Sequence, residues 1–253
     1  MSKDSIYLFD IDGTLTNPTQ PMEERDVFDF LSWCVGKNFF LVGGGSHDKI
    51  CSQLPLSIIN RSKGIFSSMG NRLVVKGRVI YQNKWKPPVK LLSELLLWHQ
   101  KSPYPDKGKD FYETRDGMLN FSVIGINASI LRRQRYAGWD SFSQERKTIQ
   151  RSLQKKFPSL DVRIGGQKSI DVQPQGYNKS QASKWIRKNY SKKMIFIGDK
   201  CFKGGNDHDI CQDLEKNNDG KWFNVKNPEE TFRILNNNEH QKKKCDRTNW
   251  AVD

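Results

Sequence analysis

No Cys-x-x-Cys pair occurs in this chain, and its five cysteines are an odd number. Neither a disulfide framework nor a zinc site is therefore predicted, and such usage suits a reducing compartment. No signal peptide is expected, because Met1-Ser2-Lys3-Asp4 leads directly into an apolar run. Long hydrophobic runs are lacking too. The most apolar helical stretch, residues 91–98, contains Glu94 and falls far short of the ~20 apolar residues that cross a bilayer. Together these absences predict a cytoplasmic protein without a membrane segment. Internal repeats are also absent. Acid is scarce relative to base: 28 Asp and Glu stand against 42 Lys and Arg, for a formal net charge of +14. That excess suits an anionic partner, whether a phosphorylated metabolite, a nucleic acid or an acidic surface, but a solvated basic surface explains it equally well. The basic face carrying Arg146, Lys147, Arg151, Lys155 and Lys156 is not interleaved with aromatics, so nucleic acid is not the expected partner.

At 253 residues, 36% of them hydrophobic, the chain can build one large core or two ordinary ones. Residues 6–9 read as a buried strand, 23–34 as a helix and 39–42 as a second apolar strand. That strand runs into Gly43-Gly44-Gly45-Ser46 and a helix over 47–54. Strand and helix in alternation predict a parallel sheet with crossovers. Residues 73–75 and 79–81 form a hairpin around Lys76-Gly77, and Pro87-Pro88 marks a linker before a helix over 89–99. The pattern then changes. Residues 111–122 alternate around Asp116-Gly117, a strong hairpin signal. Arg132, Arg133 and Arg135 follow in an expected loop, then a helix over 143–157 and a second hairpin over 161–172 turning at Gly165-Gly166. This is α+β character, so residues 83–174 read as a domain inserted into an α/β core formed by 1–82 and 175–235. The parallel pattern resumes with a helix over 180–190 and a strand over 194–197 that ends at Gly198-Asp199. Residues 236–253, polar and basic with Lys242-Lys243-Lys244, are expected to form a disordered tail.

The chemistry gathers at strand ends. Asp10 and Asp12 follow the first strand, Ser46 the second and Asp199 the third, while Lys179 precedes the helix feeding the third. Parallel strands carry reactive groups past their carboxyl ends, where the sheet opens into a crevice. Read alone, Asp12-Gly13 is equally a strand-to-turn junction. Taken together, the groups are those phosphoryl transfer requires. Asp10 would be the nucleophile, passing through an aspartyl-phosphate, and Asp12 the acid and base. Lys179 would neutralise phosphoryl oxygens and Ser46 would donate to them. The oxygen-only set Asp10, Asp12, Asp199 and Asp207 favours Mg²⁺. A histidine beside the loop, His208, is expected to be a structural hydrogen-bonder. Cys201, with no neighbouring His, is not expected to be a thiolate nucleophile.

Phe9-Asp10-Ile11-Asp12-Gly13-Thr14-Leu15-Thr16 resembles the opening motif of the haloacid dehalogenase superfamily. Asp199-Lys200 with Gly204-Gly205-Asn206-Asp207-His208-Asp209 resembles the closing motif of eukaryotic-type phosphomannomutases. Gly117-Met118-Leu119-Asn120-Phe121-Ser122 and Gly165-Gly166-Gln167-Lys168-Ser169-Ile170-Asp171-Val172 resemble that family's cap signatures. The resemblance implies a Rossmann-like core with an inserted cap and a homodimer through the cap. It also implies Mg²⁺-dependent interconversion of mannose 6-phosphate and mannose 1-phosphate with a hexose 1,6-bisphosphate activator. By the same resemblance Arg115 and Arg133 grip the non-reacting phosphate, Ser169 and Asp171 contact the substrate, and Gly176 lies in the turn that follows. Two family arginines are replaced, by Thr19 and Ile126, with Lys168, Arg132 or Arg135 as candidates to compensate. That loss leaves a sugar-phosphate or nucleotide phosphatase as one alternative. A nucleic-acid or partner-binding protein with an inactive site, motivated by the charge and by Lys242 to Lys244, is another.

Overall fold

The computed structural model describes residues 5–236. From residue 237 on, the expected basic tail lies outside the described residues. The first apolar run forms β1 (Ile6–Phe9), buried along its whole length. After α1 (Glu24–Trp33) comes β2 (Asn38–Val42), then α2 (His47–Gln53), α3 (Leu56–Arg61) and β3 (Ile65–Ser67). A hairpin of β4 (Arg72–Val75) and β5 (Arg78–Gln82) follows, then α4 (Val89–Lys101). Next come β6 (Tyr112–Arg115), β7 (Met118–Phe121), α5 (Ile130–Ser143), α6 (Glu145–Lys156), β8 (Leu160–Ile164) and β9 (Ile170–Pro174). The chain returns through α7 (Ser180–Asn189), β10 (Met194–Gly198), α8 (His208–Asn217) and β11 (Gly220–Asn224).

Two sheets result. The seven-stranded sheet runs β11-β10-β1-β2-β3-β4-β5. It is parallel from β11 to β3 and antiparallel through β4 and β5. A strand covered on both faces must be apolar at every position, and β1 meets that demand. Tyr7 and Phe9 pack on α1, where Trp33 meets Tyr7 edge-on at 4.8 Å between ring centroids and Phe30 meets Phe9 at 5.2 Å. Ile6 and Leu8 pack on the opposite face with Ala182 and Ile186 of α7 and Ile210 and Leu214 of α8.

The second sheet is antiparallel, in the order β6-β7-β9-β8. Leu119, Phe121, Ile170 and Val172 share a core with Leu91 and Leu95 of α4, Tyr136 of α5, and Ile149 and Leu153 of α6. The β6–β7 turn takes its left-handed residue at Gly117, with φ +65. A Cβ there would lie 2.6 Å from Asn71 Cγ, so only glycine lets this turn press against the β4 side of the larger sheet.

The expected arginine loop is corrected. Arg132, Arg133 and Arg135 lie on α5, which Ser129 caps by accepting the Arg132 N–H at 3.4 Å. The helix buries only Tyr136 and Asp140, so its apolar stripe is too thin to stand out from the arginines beside it. Tyr136 donates to Glu145 at 2.8 Å and Asp140 accepts from Arg146, which fixes α5 to α6 across the left-handed Gln144. Among the described residues no helix is long and apolar enough to cross a membrane.

Candidate active site

At the carboxyl end of β1 the Asp10 N–H extends the ladder to Ile197 O at 2.9 Å. The chain then turns sharply: the N–H groups of Thr14, Leu15 and Thr16 all donate to Ile11 O, and Gly13 adopts φ +90. The carboxylate of Asp10 is left buried at the mouth of the sheet, accepting from Thr14 Oγ1 at 3.3 Å. Lys179, fully buried just before α7, donates to Asp10 Oδ1 and to Asp207 Oδ1. Asp207 also accepts the Lys200 N–H at 3.0 Å, and the Lys200 ammonium pairs with Asp199. Gly13 permits the approach of Asp199, because a Cβ there would lie 2.6 Å from Asp199 Oδ2.

Asp10, Asp199 and Asp207 thus offer carboxylate oxygens within 4.8 Å of one another. Burial pushes Asp10 up to about 7; Lys179 opposes the rise, and Asp207 and Asp199 add to it. Burial also raises Asp199 against the pull of Lys200. Burial works against the charge on Lys179, but Asp10 and Asp207 outweigh it and hold the ammonium protonated. Asp199 Oδ1 is buried without a partner. An oxygen-only cluster in which ionisation is costly and one lone pair is unsatisfied fits a hard divalent cation such as Mg²⁺.

The Asp12 carboxylate lies outside this cluster. It accepts from Lys49 Nζ at 2.9 Å, from Gln53 Nε2 at 2.8 Å and from the Thr19 N–H at 2.6 Å. Burial favours its neutral form, but Lys49 and these donors prevail and hold its pKa low. Its expected role as base suits that ionised state. Sequence reasoning missed Lys49 and Gln53. Their i,i+4 spacing on α2, directly after the β2 end, was the available signal. Ser46 caps α2, its Oγ accepting the Lys49 N–H at 3.3 Å.

The smaller sheet reaches the same crevice. Arg115 donates to Gly44 O at 3.3 Å and is braced by Glu113 at 2.7 Å. Asp171 is buried and accepts from Asn120 at 2.5 Å. Its pKa is raised by burial, while Arg115, the Asn120 hydrogen bond and Lys49 oppose the rise. Ser169 Oγ and Asp171 Oδ2 converge on Gly165, where a Cβ would lie 2.7 and 2.9 Å from them. Arg133 donates from Nε to Ala128 O at 2.7 Å, ahead of α5. Gly176, with φ +85, turns the chain from β9 toward α7.

Of the candidates to compensate for Thr19 and Ile126, Arg132 is taken by the exposed Asp106 at 2.7 Å and Arg135 is exposed. Lys168 remains, its ammonium on Gly125 O at 2.9 Å and Ile126 O at 2.7 Å. His208 pairs with Cys201 O at 3.2 Å, a structural hydrogen bond of the kind expected, and Cys201 is buried. A further bridge joins the two sheets' regions: Arg163 of β8 pairs with Asp209 of α8 at 2.5 Å.

Comparison with known proteins agrees with this geometry. The profile of the family described as eukaryotic phosphomannomutase matches residues 35–240. Phosphomannomutase 1 of Dictyostelium discoideum is 33% identical over 240 residues, covering 91% of this chain and 95% of its own length. The phosphomannomutase of Saccharomyces cerevisiae is 31% identical over 245 residues, covering 92% and 93%. A solved sugar phosphatase of haloacid dehalogenase (HAD) subclass IIB shares the fold at TM-score 0.56 and 14% identity, covering 92% of this chain and 98% of its own. The chain is thus a member of the eukaryotic phosphomannomutase family, on a haloacid dehalogenase fold.

Proposed function

We propose that this protein is a phosphomannomutase that interconverts hexose 6-phosphate and hexose 1-phosphate, mannose favoured, with the phosphoryl group carried on Asp10. The observation that carries the reading is the buried array of Asp10, Lys179, Asp207 and Asp199 at the strand ends, in a chain of this family. With the phosphoryl group on Asp10, a free hydroxyl of the hexose monophosphate gives its proton to ionised Asp12 and attacks phosphorus as the Asp10 O–P bond breaks, which frees the carboxylate and leaves a hexose bisphosphate. Once the bisphosphate has turned, an Asp10 carboxylate oxygen bonds to its other phosphorus as that ester P–O bond breaks. The electron pair leaves on the sugar oxygen, which takes the proton back from Asp12. Lys179 holds Asp10 in place, and Ser46 donates to the transferring group. Mg²⁺, held by Asp10, Asp199 and Asp207, would neutralise developing charge on the phosphoryl oxygens. A hexose 1,6-bisphosphate would supply the first phosphoryl group.

In this reading residues 83–174 are a cap over a core of 1–82 and 175–235, and Arg115, Arg133, Ser169 and Asp171 hold the sugar and its second phosphate. The cap also mediates a homodimer, an inference supported by exposed Phe142 and Leu131 on α5 and Leu96 and Leu97 on α4. A cytoplasmic setting is consistent with the free thiols of Cys34, Cys51, Cys201 and Cys211.

The deciding assay supplies mannose 1-phosphate, Mg²⁺ and a hexose bisphosphate, then separates isomers from free phosphate. Mannose 6-phosphate is the expected product. Free phosphate without isomer would establish the phosphatase alternative, which the side chains of Thr19 and Ile126 favour by offering no cation. The metal site has its own test. Since Asp10 takes its proton at about 7, Mg²⁺ competes with a proton below that pH. Added Mg²⁺ is expected to raise the melting temperature more at pH 8 than at pH 6. An equal shift at both, or none, contradicts the assignment.

A further inference from the structure

Lys168, in the β8–β9 turn, is 9% exposed. Its ammonium has three hydrogens, and two go to Gly125 O and Ile126 O. No carboxylate among the described residues is paired with it. The charges that reach it come from three other elements: Arg133 on α5, Arg115 and Glu113 on β6, and Lys49 on α2. Glu113 is already bonded to Arg115. Burial first, then the neighbouring cations, draw Lys168 down to about 8. A buried ammonium facing like charges, with a donor to spare, is unfavourable in isolation and becomes favourable once an anion enters.

Resting on the function proposed above, we propose that Lys168 is a substrate-binding residue. Its free N–H closes the cap's grip on the non-reacting phosphate, beside Arg133 and Arg115. The phosphate dianion supplies the counter-charge the chain does not, and the carbonyls of Gly125 and Ile126 aim the ammonium. The rival account is that Lys168 only pins residues 125–126 against the β8–β9 turn.

The two separate by calorimetric binding of mannose 6-phosphate to wild type, Lys168→Met and Lys168→Arg, read whether or not turnover follows. Lys168→Met is expected to bind about tenfold more weakly or worse, the loss of one charge-assisted hydrogen bond. Lys168→Arg, which keeps the charge, should recover most of that loss. Thermal melts without ligand check that each variant folds. Unchanged binding by a folded Lys168→Met overturns the inference, as does a loss that Lys168→Arg does not relieve, or no binding by wild type. Binding that weakens as expected in a protein that forms no isomer upholds this inference and overturns the mutase reading instead.

Discussion

Asp10→Asn is expected to lower isomerisation by about 10⁴-fold or more while leaving the fold intact, because an amide cannot form the acyl phosphate. The substitution is nearly isosteric, and the new side-chain carbonyl can still accept from Lys179. It should not cost stability at neutral pH, for a physical reason specific to this site. Burial holds the Asp10 pKa at about 7, so ionising it above that pH works against folding, and a neutral amide removes the penalty. A melting temperature at pH 8 equal to or above that of wild type, with turnover gone, is the expected pair of results. Retained turnover would dismiss Asp10 as the nucleophile.

Lys179→Met should be the most destabilising single change at the site. Lys179 is fully buried and bridges two buried carboxylates. Its removal leaves both without a counter-charge, a defect worth about 3–5 kcal/mol. For a chain of this size that lowers the melting temperature by on the order of 10 °C. The penalty has a predictable pH dependence. It is small below pH 7, where Asp10 is protonated with or without Lys179, and grows as the pH rises above 7, because without Lys179 burial pushes Asp10 further up and its ionisation becomes more costly. Combining the change with Asp10→Asn should restore part of the loss, since the two groups are in contact. A single variant that melts like wild type at pH 8 would show that the bridge is not formed.

How much of this was legible in the sequence depended on range. The β1 run and its acidic end were plain because a doubly covered strand has no polar position to spare. The β6–β7 hairpin was plain because Asp116-Gly117 encodes its own turn. The direction of the Asp12 side chain was not legible, because alternation along a continued strand would set it beside Asp10. The chain instead turns at Ile11 O, which gathers three N–H groups and sends the second carboxylate toward α2. The α5 helix was hidden by arginines around a narrow buried face. Short β3 and the partly exposed β11 carried too few apolar residues to register. What no local pattern could supply were the long-range contacts: Lys179 to Asp10 across 169 residues, and Lys49 to Asp12 across 37. The sequence offered Lys179 by its place before a helix, but neither it nor the family motifs pointed to Lys49 and Gln53.

The measurement closest to the central claim is peptide mass spectrometry after brief incubation with Mg²⁺ and a hexose 1,6-bisphosphate, quenched in acid. The account predicts one phosphoryl group on the peptide containing Asp10, absent from Asp10→Asn and discharged when mannose 1-phosphate is added before the quench. Isomer formation with the phosphoryl group on another residue, or with none on the protein, would contradict it.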